Sequence, residues 1–200
     1  MPQTLQTRLD SIGKHLIDRI PAMASDLASD DPAYCLFLWY QDFSVDEFAP
    51  EIAIGTEQLR LACLSGDHND KLGDPPEWCV WRPQQTIDAP FPGFPLAAAH
   101  CELVSDDCNW IYKQLGSDDD DREEDEILLP FRTTLQSVAR TLNQIDWSQH
   151  MPVAHDFIVI ATDYIGYWFP EDVSESIGAE RLADLQKSGR MPSWDMDDDA

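Results

Sequence analysis

Positive charge is scarce in this sequence. Lys and Arg together number 13 against 38 Asp and Glu, a formal net charge of −25. A field of that sign repels phosphate backbones, and the basic footprint of a DNA- or RNA-binding domain is absent. Anionic membrane surfaces are disfavoured for the same reason. No apolar run approaches the roughly 20 residues that a membrane-spanning helix requires. The opening residues, MPQTLQTR, are not a basic segment followed by an apolar one. No secretory leader is therefore expected, and the protein is expected in the cytoplasm.

Paired cysteines are missing as well. The five cysteines, Cys35, Cys63, Cys79, Cys101 and Cys108, are odd in number and include no CxxC spacing. That argues against a disulfide framework and against a zinc site. Cys35 and Cys79 sit inside apolar stretches, where a free thiol behaves as a small hydrophobe, and this suits a reducing compartment.

Catalytic signatures are absent too. Neither GxGxxG nor GxxxxGK[ST] occurs, so no glycine-rich loop is offered to a phosphate. HExxH and GxSxG are also missing. His100, Cys101 and Glu102 match half of the zinc nucleobase deaminase pattern. The PCxxC half is lacking and Cys108 stands alone, which leaves a metal short of ligands. No cofactor and no catalytic residue is expected.

What is present is core material. Hydrophobic residues make up 43% and aromatic residues 10%, with seven Trp and eight Phe. This is globular composition of one-domain size. The expectation is a single domain over 1–194, with an acidic loop at 117–126 and an acidic disordered tail at 195–200.

Leu5, Leu9, Ile12, Leu16, Ile20, Met23 and Leu27 recur at steps of three and four, the apolar face of a helix. Pro21 predicts a kink or a division into two helices. Residues 33–40, AYCLFLWY, read as a strand buried on both faces. A second strand is expected over 48–54, followed by a helix that Thr56 caps. Residues 78–82 read as a short strand and 96–115 as a helix broken near Ser105. From Ile127 a helical period runs to Ile145 with Pro130 in its first turn, and the preceding carboxylates suit the positive end of its dipole. Residues 156–163, DFIVIATD, read as a strand, 164–169 as its aromatic continuation, and 175–187 as a helix ended by Gly189. The fold class expected is α+β, a small mixed or antiparallel sheet packed with several helices.

His150, His155, Asp156 and Asp163 gather around the late strand and offer a metal or acid/base cluster, although such residues near strand ends more often form turns and caps. The run SDDDDREEDE at 117–126 lacks the alternating ligands and glycine of a calcium loop, so its default is a solvated surface. Trp78, Trp81 and Trp110 are candidates for an exposed hot spot, against the commoner fate of burial.

The segments LFLWY at 36–40, EIAIGTE at 51–57, WCVWRP at 78–83 and FIVIATD at 157–163 together resemble a bacterial domain of unknown function. Many proteins of that kind accompany polymorphic toxins and are taken to be immunity proteins. The resemblance spans about 5–189 as an order of elements, on the scale of an ordinary domain. It implies no catalytic residues, and the acidic loop and tail lie outside the shared pattern.

The reading is a non-catalytic acidic binding domain, an immunity protein that occupies the basic groove of a toxin. The residues expected to meet the basic partner are Asp118, Asp119, Asp120, Asp121, Glu123, Glu124, Asp125 and Glu126, with Asp106 and Asp107 as neighbours. Its rivals are an enzyme centred on His100, His155 or Asp163, and a housekeeping domain whose acidity reflects salt adaptation.

Overall fold

The computed structural model describes residues 4–40, 49–65, 76–81, 97–113, 121–163 and 169–193, with backbone alone at 76–78, 112 and 121–127. Helix α1, Leu5–Leu27, opens on Thr4, whose side chain accepts from the Thr7 amide. Pro21 lies inside this helix without dividing it. Leu9, Ile12, Leu16, Ile20 and Ala24 are buried along one stripe, as the period of the sequence requires.

Four strands form a mixed sheet in the order β3-β2-β1-β4. Strand β1 is Ala33–Tyr40, β2 Glu51–Thr56, β3 Ala97–His100 and β4 Val153–Asp163. The β2 strand runs antiparallel to both β1 and β3, and β4 runs parallel to β1. Every residue of β1 is buried. Its alternate side chains enter two separate cores: Leu36, Leu38 and Tyr40 one, Phe37 and Trp39 the other. A register shift between Ala33 and Cys35 breaks the alternation and puts both Tyr34 and Cys35 in the second core.

The first core lies under α1, helix α4 (Ser105–Tyr112) and helix α5 (Asp121–Leu142). The second lies under α2 (Glu57–Ser65), α3 (Pro76–Trp81), α6 (Phe169–Ile177) and α7 (Ala179–Lys187). Helices thus cover both faces of an α+β sheet. Gly55 is required by close approach, since a Cβ there would stand 2.7 Å from the Tyr34 ring. None of the described helices is long and apolar enough to cross a membrane.

The outer edge of β4 is closed by side chains. The Val159 amide donates to Asn143 Oδ1 at 2.9 Å, and Asn143 Nδ2 donates to the Val159 carbonyl at 2.8 Å. The Ala161 amide donates to Ser176 Oγ, and the Asp163 amide to Asp172 Oδ2. Alternate backbone groups of an edge strand are thereby satisfied without another strand.

Several local expectations are overturned. Residues 78–82 were expected as a strand, but 76–81 form α3, where Pro76 takes the first helical position that its fixed φ favours. Residues 97–100 are a strand rather than the start of a helix, because they fill the free edge of β2 with Ala99 opposite Ile52. The break near Ser105 is the start of α4. Helix α5 begins at Asp121, so 121–126 are its first turns and not loop. The helix expected over 175–187 is two helices, parted at Gly178 with φ 83°. Phe169 opens α6 instead of continuing the sheet. Residues 117–120, 164–168 and the tail at 195–200 lie outside the described residues.

Candidate functional site

Thr56 accepts from the Leu59 amide and starts α2 directly off the end of β2. This launches Arg60 into the interior at 6% side-chain exposure. Its Nη1 donates to Asp156 Oδ2 at 2.8 Å, and Glu57 lies 3.5 Å from the same nitrogen. The guanidinium carbon sits 4.4 Å from the centroid of the Tyr34 ring. Asp156 shares the inward phase of Ile158 and Ile160 on β4. Burial pushes its carboxyl up, and the bond and charge of Arg60 with the charge of Arg190 outweigh that and hold it below the usual range.

Arg190 reaches the same carboxylate at 3.7 Å because of how α7 ends. The Gly189 amide donates to the Gln186 carbonyl and the Arg190 amide to the Leu185 carbonyl, with Gly189 at φ 70°. This paired closure at a glycine turns the chain back over the helix. It tucks Met191 into the core and leaves Arg190 over Asp156. A cleft of about 530 Å³ lies beside the turn, lined among others by Arg60, Val80, Trp81, Arg190 and Met191.

A second ionic centre has a different character. Asp172, in the first turn of α6, is fully buried. It accepts from Arg132 Nε at 2.7 Å, Gln136 Nε2 at 2.8 Å, the Tyr40 hydroxyl at 3.0 Å and the Asp163 amide at 3.3 Å. Burial raises its carboxyl above the usual range although these donors oppose the shift. With four donors on two oxygens the carboxylate is saturated, and it ties α5, α6, β1 and β4 together.

The expected His and Asp cluster is not brought together. Asp156 faces Arg60, while His155 beside it is 76% exposed. Asp163 lies seven residues along the same strand, about 23 Å away at ~3.3 Å per residue. His100 is exposed at the end of β3 and pairs in register with Glu51. His150 packs edge-on to Trp147. Among the described residues, no group of three or more His, Cys, Asp or Glu is placed to hold a metal ion.

Of the residues expected to meet a partner, Asp118, Asp119 and Asp120 lie outside the described residues. Asp121, Glu123, Glu124, Asp125 and Glu126 fall on the opening turns of α5. Asp106 is exposed, whereas Asp107 is ion-paired to Arg8, whose guanidinium stacks 4.5 Å from the Trp110 ring. Trp81 is core, edge-on to Tyr34, and Trp78 has no described side chain.

Arg60, Arg190 and Asp172 were missed by sequence reasoning. One signal was available for the first pair: a carboxylate in the inward phase of a β-branched strand demands a buried cation. Asp172 is masked by its place in a helix first turn, where an acidic residue needs no further reason.

No family model, no curated protein and no solved structure matches this chain.

Proposed function

We propose that this chain is a non-catalytic binding domain for a basic protein. The observation that carries the reading is the net charge of −25, with Arg8, Arg60 and Arg132 drawn inward. Arg8 is paired with Asp107, Arg60 and Arg190 with Asp156, Arg132 with Asp172, and Arg140 with Glu175. Exposed carboxylates include Asp10, Asp18 and Asp26 on α1, Glu102 and Asp106 near α4, and Glu180 and Asp184 on α7, beside the exposed cations Lys14, Arg19, Lys113, Arg181 and Lys187, and the net charge of the chain is −25. Such a surface accelerates encounter with a partner of opposite sign and rejects nucleic acid. Leu103, 61% exposed between Glu102 and Asp106, adds an apolar contact within that field.

A toxin with a basic groove is the partner class that the resemblance to immunity proteins adds. An acidic face seated in such a groove would exclude the toxin's own anionic substrate. The test is capture from source lysate at low salt on the immobilised full chain, with elution along a salt gradient. A basic protein released late in the gradient supports the reading and names the partner. Captured proteins that are acidic, or whose retention ignores salt, would count against it.

A further inference from the structure

On a chain of net charge −25, the cleft beside the turn after α7 gathers two arginines. We propose that this cleft binds a small organic monocarboxylate with an apolar or aromatic body. Its volume of about 530 Å³ falls within the range of small-molecule sites, roughly 300–1,000 Å³. Val80, Trp81 and Met191, each almost wholly buried, supply apolar lining. Arg60 and Arg190 supply the charged end.

The donors of Arg60 are only partly used. Nη1 is engaged by Asp156, but Nε and Nη2 are buried with no hydrogen-bond partner among the described residues, as is Asp156 Oδ1. An orphaned buried donor is costly and calls for an explanation. The guanidinium is one rigid plane, so the edge left over from Asp156 keeps the geometry of a carboxylate fork. Arg190 has 41% of its side chain exposed and is only loosely held at 3.7 Å from Asp156, so it is the cation free to meet a guest first.

Charge selects the class of ligand. Arg60 and Arg190 carry two positive charges against the two negative charges of Asp156 and Glu57, so the set is neutral before a guest enters. His155 turns outward and adds little. A guest is therefore held by the unused guanidinium donors rather than by excess charge, and a monoanion adds less uncompensated charge than a dianion such as phosphate inside an already negative field.

The probe is benzoate, titrated into the labelled full chain and followed by amide NMR, with benzamide as the neutral isostere and inorganic phosphate as the dianion. Benzoate is expected to give saturable shifts at Ser188, Gly189 and Met191. Benzamide and phosphate are each expected to bind at least about tenfold more weakly. Arg190→Gln should weaken benzoate by about tenfold or more, while Arg181→Gln, the same charge change at another exposed position, should leave it unaltered. Equal binding of benzamide would reduce the cleft to an apolar pocket and overturn the proposal. Tighter binding of phosphate, no saturable shift up to about 10 mM benzoate, or indifference to Arg190→Gln would overturn it equally. If Arg190→Gln loosens the fold, the comparison of benzoate with benzamide on the unaltered chain decides.

Discussion

Asn143 and Val159 exchange two hydrogen bonds, side-chain oxygen from backbone amide at 2.9 Å and side-chain nitrogen to backbone carbonyl at 2.8 Å. A single side chain thus imitates the next strand of the sheet at the middle of its β4 edge. Asn143→Ala leaves both backbone groups of Val159 without these partners and is expected to cost about 2–3 kcal/mol. Urea unfolding followed by tryptophan fluorescence reads the loss. The variant should also self-associate more readily, because an unprotected edge is a template for another strand. Asn143→Asp keeps the acceptor but loses the donor, and should fall between the two.

The two buried aspartates respond to acid in opposite senses. Asp156 has its carboxyl lowered in the folded chain, so its contribution is full above the unfolded value of about 3.9 and is lost as pH falls through the lower folded value. Asp172 has its carboxyl raised, so the folded chain takes up the proton first. Its contribution grows as pH falls from the folded value towards about 3.9 and is constant below. Unfolding midpoints in urea across acid pH should therefore show a flatter acid loss in Asp156→Asn than in the unaltered chain. Asp172→Asn should remove a gain instead. At neutral pH each substitution leaves a buried arginine edge unmatched and is expected to cost on the order of 3 kcal/mol.

What the sequence disclosed follows the strength of local signals. The stripe from Leu9 to Ala24, the doubly buried β1 and the β-branched stretch from Ile158 to Ile160 are legible because burial imposes a period on them. Strand β3 is not, since AAAH favours helix and becomes a strand only because β2 offers it an edge. Nor is α3, three of whose six residues are strand-like by type and whose identity rests on Pro76. The cleft is legible in fragments alone. Gly189 announces a helix end, but that this end delivers Arg190 to Asp156 is a tertiary fact with no sequence period behind it.

The acidic run at 118–126 carries a kinetic prediction. Replacing Asp118, Asp119, Asp120, Asp121 and Asp125 with Asn, and Glu123, Glu124 and Glu126 with Gln, removes charge and little shape. Against the basic partner captured at low salt, the association rate should fall by about tenfold or more and its salt dependence should flatten, while dissociation changes less. Stopped-flow association at two ionic strengths reads both quantities. An unchanged rate at low salt would remove this run from the interface and leave the carboxylates around Leu103 as the remaining candidates.

Cys63 on α2 and Cys79 on α3 place their sulfurs 2.9 Å apart in the second core, both buried and both reduced. The hydrogen bond between them and burial push the Cys63 thiol well up, so it is not a ready nucleophile at neutral pH. Proximity nonetheless favours this pair over any other once an oxidant is supplied. With a diazene oxidant such as diamide, each thiol gives up its proton, the pair gives up two electrons to form one S–S bond, and the N=N bond is reduced to the hydrazine. A non-reducing digest is expected to link Cys63 to Cys79 and to leave Cys35, Cys101 and Cys108 as thiols. Closing the segment 64–78 should then stabilise the fold by up to about 3 kcal/mol through loss of unfolded-chain entropy. Cys63→Ser should abolish both the link and the oxidant-dependent gain. A link between other cysteines, or a gain that survives Cys63→Ser, would show that the two helices do not hold these thiols together in solution.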